Sequence, residues 1–156
     1  MAQFSQAWTS ELDSDLTWQL LAQSFRDSRK SEIWPRSMAE IVARGPLAVG
    51  QLLDVTYKLG PARTRVQYRI TRYEPGRLLR YETTDRHPLS GYATVTVLSV
   101  GGASLCGWEG EYRVKRWWSF ASLAWFKLWY EPVFFGRLRI AFKRREALAS
   151  RARAAA

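Results

Sequence analysis

From Ser37 to Lys115 the chain switches between apolar and polar residues with a period of two, and turn residues interrupt the run at short intervals. Six segments carry the pattern: MAEIVAR, QLLDVTYKL, RTRVQYRITRY, RLLRYETT, YATVTVLSV and SLCGWEGEYRVK. Between them lie Gly45-Pro46, Gly60-Pro61, Pro75-Gly76, Pro88 to Gly91, and Gly101-Gly102. A parallel pair of strands needs a crossover of about a dozen residues, and these gaps are too short for one. The segments therefore predict an antiparallel meander. QFSQAWTSEL, near the start, adds a seventh strand candidate.

Alternation also says which side of the sheet is covered. Leu53, Val55, Tyr57 and Leu59 share one face, as do Val66, Tyr68 and Ile70, then Leu79 and Tyr81, then Cys106, Trp108, Tyr112 and Val114. The opposite face carries Arg63, Arg65, Arg69, Arg80, Glu109, Glu111, Arg113 and Lys115. One face is greasy and the other is charged, so a single layer must cover the sheet. DSDLTWQLLAQSFRD supplies a helix of roughly three turns, capped at Asp13 or Ser14. That helix is too short to cover six or seven strands. The cover is expected from Trp117 to about Ala149, read as one long helix kinked or interrupted near Pro132. If the pair Lys127 and Glu131 marks the solvent side, the sheet-facing stripe is Ser122, Trp125, Phe126, Trp129, Val133, Gly136 and Ile140. Phe120, Phe134 and Leu138 would then face water.

The end of the chain is unusual in composition. Trp117 to Phe135 holds four of the eight tryptophans and four of the seven phenylalanines, and Gly136 to Ala156 follows with seven cations against one anion. The latter segment supplies more than half of a net charge of +10. A membrane-spanning helix is disfavoured, because Lys127, Glu131 and Pro132 fall inside it and a charge at mid-bilayer costs about 2.5–3.5 kcal/mol. An interfacial helix accounts for both halves: Trp117, Trp118 and Phe120 at headgroup level, with Arg137, Arg139, Lys143, Arg144 and Arg145 on anionic lipid. That reading is preferred to a dimer interface.

One cysteine, Cys106, and one histidine, His87, leave no ordinary zinc site and no internal disulfide. The expected compartment is a reducing cytoplasm, with peripheral membrane contact, and no secretory signal is visible in Met1 to Leu12. His87 stands beside Pro88 and reads as an exposed turn residue, and Cys106 reads as a small buried hydrophobe. Its pairing with His87 as a nucleophile has no support in the spacing. No catalytic residue is assigned, and no cofactor or metal is expected. The outer arginines make a basic patch, but the aromatics lie on the opposite face, so the stacking-plus-phosphate arrangement of single-strand binders is not assembled and nucleic acid is disfavoured.

Strand, short helices, six-stranded meander and long last helix, together with AVGQLLDV, ITRYEPGRLLRYETT and VTVLSVGGASLCGWEGEY, resemble the START-like (SRPBCC) superfamily, which includes polyketide cyclases, birch-pollen-allergen-like proteins and lipid-transfer domains. The resemblance spans roughly Phe4 to Leu148 of a single domain. It implies an α+β helix-grip fold, a seven-stranded curved antiparallel sheet wrapped on a long C-terminal helix, with one or two short helices after the first strand. It further implies a cavity for a hydrophobic or aromatic small molecule or lipid. By position, its lining would be Leu53, Val55, Tyr57, Val66, Tyr68, Ile70, Tyr81, Trp108, Tyr112, Phe126, Trp129 and Val133. Three functions are compatible with this: a carrier that docks on anionic membrane, a cyclase/aromatase-like enzyme, and a basic interaction module. No acid/base other than tyrosine is expected inside.

Overall fold

The computed structural model describes residues 1–156. β1 (Ala2–Ser10) is followed by α1 (Ser14–Arg26) and a short 3-10 turn at Ser28–Lys30. Then come β2 (Ala39–Ala43), β3 (Leu52–Leu59), β4 (Ala62–Glu74), β5 (Leu78–Thr83), β6 (Leu89–Val100) and β7 (Ala103–Val114). The sheet runs β1-β7-β6-β5-β4-β3-β2, with every neighbouring pair antiparallel. From Trp117 to Ala154 the chain is helical throughout: a 3-10 turn, α2 (Phe120–Trp125), a widened π-type turn (Phe126–Tyr130) and α3 (Glu131–Ala154). This is the expected α+β helix-grip architecture.

Local signals set the boundaries. The Asp13 carboxylate accepts from the Leu16 amide at 2.8 Å and starts α1. Ser28 stops the chain by turning its hydroxyl to the Ile41 amide at 2.8 Å, which ties the turn after α1 to β2. A bulge between Ile70 and Arg72 adds curl to the sheet. Gly91 and Gly110 permit close approach, since a Cβ on Gly91 would run into the Glu111 carbonyl oxygen, and one on Gly110 would meet the Tyr92 carbonyl and the Phe4 ring. β6 therefore begins at Leu89, three residues earlier than the turn-like sequence Pro88 to Gly91 suggests.

The covering layer differs from expectation in two ways. First, it is shared. Phe25 of α1 packs on Trp108 at 5.6 Å between ring centroids, and Trp34, in the loop before β2, packs on Phe134 at 5.0 Å. Second, the helix stripe is displaced. Leu123, Phe126, Tyr130, Phe134, Phe135, Leu138 and Phe142 are buried, whereas Trp129 and Ile140 are 44% and 55% exposed, Gly136 is exposed, and Val133 is half-buried. The cause is the π-type turn, in which the Glu131 amide donates to the Phe126 carbonyl. One inserted residue shifts the inward set, so Tyr130 and Phe134 take the places expected for Trp129 and Val133.

The Lys127–Glu131 pair was also a misleading marker. It lies along β1, with Glu131 buried and only Lys127 exposed to solvent. Lys127 Nζ lies 2.7 Å from Glu131 Oε2 and donates to the Gln3 carbonyl at 2.8 Å, while Gln6 Nε2 donates to the other carboxylate oxygen at 3.1 Å. Glu146 is buried in the same manner, accepting from the Glu11 amide at 3.2 Å and from Lys143 at 2.8 Å.

Because the Gly91 backbone sits against β7, Gly91→Ala is expected to destabilise the fold by about 2–4 kcal/mol. Urea unfolding checks this: the midpoint should fall with little change in the denaturant slope.

Candidate functional site

The concave side of the sheet is not evenly hollow. Under the π-type turn and the start of α3, a void of only about 30 Å³ remains among Phe4, Trp34, Ile41, Val55, Tyr57, Tyr68, Tyr81, Trp108, Tyr112, Phe126, Tyr130, Phe134 and Phe135. That is room for about one water. At the other end, beneath α2, a cavity of about 330 Å³ opens. Its walls are Tyr57 and Leu59 of β3, Thr64, Val66 and Tyr68 of β4, His87, Pro88 and Leu89 at the start of β6, Tyr112 of β7, and Ala121, Ser122, Trp125 and Phe126 of the helical segment. Tyr57, Tyr68, Tyr112 and Phe126 belong to both spaces and form the partition.

The residues expected to line a cavity thus fall into three groups. Tyr57, Val66, Tyr68, Tyr112 and Phe126 border the large cavity. Val55, Tyr81 and Trp108 border only the small inner void. Leu53 and Ile70 are fully buried core, Val133 packs against the core, and Trp129 faces outward, so these four border neither space.

His87 is the correction with the largest chemical consequence. It is buried, not exposed in a turn, and only 6% of its surface remains accessible. Its Nε2 lies 2.9 Å from the Tyr68 hydroxyl, which lies 2.7 Å from the Tyr57 hydroxyl. On the other side of the ring, Nδ1 lies 3.0 Å from the Leu89 amide nitrogen and 3.1 Å from the Leu89 carbonyl oxygen. Two tautomers fit: with Nδ1 as acceptor, Nε2–H donates to Tyr68, and with Nδ1–H donating to the carbonyl, Tyr68 donates to Nε2. A signal for this placement was present in the sequence. Continuing the inward parity of Val97, Val95 and Ala93 back through Gly91 and Leu89 reaches position 87.

Burial keeps this set uncharged. Desolvation pushes the His87 imidazole down to about 4, opposed by its backbone bond to Leu89 and aided by the nearby Lys115 charge. Burial pushes Tyr57 up to about 12 and raises Tyr68 and Tyr112 well above the ordinary phenol value. Tyr81, which accepts from the Trp108 indole N–H at 3.1 Å, is also raised by burial. At neutral pH the wall therefore offers hydroxyl and imidazole hydrogen-bonding groups but no charge. Cys106 is buried on the same face, with its thiol pushed up to about 12, so it is a hydrophobic filler, not a nucleophile. No group of three or more His, Cys, Asp or Glu side chains is placed to hold a metal ion.

At the surface, Trp117, Trp118 and Phe120 are 88%, 52% and 67% exposed. Of the C-terminal cations, Arg137 donates to Ser37 Oγ, Arg139 to Gln6 Oε1 at 2.7 Å, Lys143 pairs with Glu146 at 2.8 Å, and Arg145 with Glu32 at 3.1 Å. Arg144 has no such partner. No helix is long and apolar enough to cross a membrane.

A curled seven-stranded antiparallel sheet gripping a long last helix, with a hollow at one end, is a helix-grip fold. No protein-family model matches the chain, and no curated protein matches its sequence. Solved structures do match its fold. Norcoclaurine synthase from Thalictrum flavum, in complex with dopamine and hydroxybenzaldehyde, superposes with a TM-score of 0.61 at 14% identity, over 92% of this chain and 84% of that one. The di-domain ARO/CYC StfQ of the steffimycin biosynthetic pathway gives 0.70 at 13% identity, covering 95% of this chain and 51% of the larger protein. Ginseng major latex-like protein 151 from Panax ginseng gives 0.60 at 14% identity, over 93% and 97%. At such identities the likeness is one of fold.

The depressed His87 imidazole makes stability depend on pH with a definite sign. Between its ordinary value of 6.5 and about 4, the unfolded chain holds the proton that the folded chain refuses. Stability is therefore full above that window and is lost as pH falls through it, by up to about 3 kcal/mol. Urea unfolding of wild type and His87→Gln across this range should show the slope in the former and its loss in the latter.

Proposed function

We propose that the protein binds a hydrophobic or aromatic small molecule, or one lipid molecule, in the cavity beneath α2. The observation that carries this reading is an apolar space of about 330 Å³ with one hydrogen-bonding wall, Tyr57–Tyr68–His87. Mostly apolar walls with a few placed polar groups are the usual make-up of a small-molecule site. Burying the apolar surface of the ligand contributes at about 25 cal/mol per Å², and a ligand hydroxyl or carbonyl can take a place in the neutral hydrogen-bond set. The dopamine and hydroxybenzaldehyde held by the norcoclaurine synthase of like fold are small ring compounds bearing oxygens.

Admission of a ligand is assigned to α2. This helix is six residues long, has no side-chain hydrogen bond at its N-cap, and closes the cavity with Ala121, Ser122 and Trp125. The π-type turn that follows is its natural hinge.

The enzyme reading, cyclase-like or otherwise, is the weaker one because the only ionisable groups in the wall are held neutral and far from the pKa of an effective base. Docking on an anionic membrane is favoured by one specific observation, the exposed Trp117, Trp118 and Phe120 at and just before the start of α2. The basic partners for it are the neighbouring Lys115 and Arg116 more than the C-terminal cations, most of which are engaged within the chain.

Titration with the fluorescent probe phenylnaphthylamine should show saturable binding with one site per chain. Ser122→Trp, which fills the cavity from a half-buried helical position, should weaken that binding about tenfold or more. Absence of binding to the wild type, or equal binding by the variant, overturns the cavity reading. Flotation with phosphatidylglycerol-containing and purely phosphatidylcholine vesicles tests docking: the anionic vesicles should retain the protein, and Trp117→Ser/Trp118→Ser should release it.

A further inference from the structure

A second hollow lies against the first. It is lined by Thr64, Arg65, Val66, Asp85, Arg86, His87, Pro88, Lys115, Arg116, Trp118 and Ser119, and it shares Thr64, Val66, His87 and Pro88 with the apolar cavity. Those four residues therefore border both hollows, which adjoin along them. The chemistry on the two sides is different.

On the outer side stand four cations and one carboxylate. Arg65, Arg86, Lys115 and Arg116 form no ion pair, whereas nine other Lys and Arg side chains do. Asp85 lies in the same hollow without closing on any of them. Lys115 is held in place by donating to the Thr84 carbonyl at 2.9 Å, and Arg116 lies over the Trp118 ring at 5.9 Å. Unpaired cations are ordinary on a surface of net charge +10. These four are set apart because they surround a concavity and because Ser119 faces it. Ser119 is completely buried, and its hydroxyl has no hydrogen-bond partner. A buried hydroxyl is costly unless it is hydrogen-bonded, and no protein group takes up this one, so Ser119 has a donor to offer here.

We propose that the ligand of the cavity carries an anionic group (a carboxylate, sulfonate or phosphate) that is received by Arg65, Arg86, Lys115 and the Ser119 hydroxyl while its apolar body lies beneath α2. This assignment rests on the cavity-binding reading and narrows it to amphiphilic anions. It divides the work: the hollow beneath α2 supplies affinity by excluding water from apolar surface, and the cations select among apolar molecules of similar size by charge.

A matched pair of probes tests it. Phenylnaphthylamine is neutral, and anilinonaphthalene sulfonate is the same ring system with one anionic group. The sulfonate should bind about tenfold more tightly at low ionic strength. It should displace the neutral probe competitively, and its advantage should shrink as salt is added. In the double variant Arg65→Gln/Arg86→Gln the advantage should fall to within about twofold while the neutral probe binds as before, which also reports an intact fold. Equal affinity of the two probes for the wild type, or a preference that survives the double variant, overturns the anion site and leaves the cavity reading standing. Failure of both probes to bind overturns the cavity reading itself, and the anion site with it.

Discussion

The packing of large rings between the sheet and the last helix decides both how the fold holds together and where it leaves space. Trp34, Trp108, Phe134 and Phe135 meet at centroid distances of 5.0–6.0 Å, mostly edge to face, and occupy the centre of the concave side. Such pairs bury much apolar area and add a geometric preference of about 0.5–1.5 kcal/mol each. A centre so filled has no room for a ligand. Space survives only where small side chains replace rings, at Thr64, Pro88, Ala121 and Ser122. The cavity is therefore a consequence of side-chain volume along the layer, not of the sheet's curvature alone.

The sheet was legible in the sequence because its signal is local. Period-two alternation at Val66–Tyr68–Ile70 or Cys106–Trp108 needs only the identities of near neighbours, and the Gly-Pro and Gly-Gly turns fix the connections. The helix face was not legible, for a physical reason. A single π-type turn at Phe126–Tyr130 moves the positions after it by one residue, and no residue type there announces it. Lys127 and Glu131 then misdirected the assignment, since a pair that looks like ordinary surface dressing binds Gln3 and Gln6 of β1 instead. His87 was missed because Pro88 and Gly91 carry turn propensity, yet Gly91 is there for close contact with β7, inside a strand. In each case tertiary packing overrode a local rule.

Charge is distributed to match. Phenols and an imidazole line the cavity and are kept neutral by burial, so the interior supplies direction to a polar atom without the cost of an isolated buried charge. The one imidazole is spent on hydrogen bonds to Leu89 and Tyr68. Arginines and lysines remain outside the wall. Proton abstraction needs a group poised near ambient pH, and burial moves each ionisable group of this interior away from it.

The two ends of the helical layer are fastened unequally, and the loosely fastened end lies over the cavity. Along α3, buried Glu131 and Glu146 tie the helix to β1 and to the chain after it, and Phe135, Leu138 and Phe142 are packed beneath. Along α2, only Leu123 is buried, the N-cap lacks a side-chain bond, and the outer face shows Trp117, Trp118 and Phe120 to solvent. Opening α2 therefore breaks few buried contacts, whereas moving α3 would expose the aromatic centre and strand two carboxylates. Local opening follows the path of least loss. That path leads to the cavity, and the π-type turn sits at the junction where the well-fastened part of the helix ends.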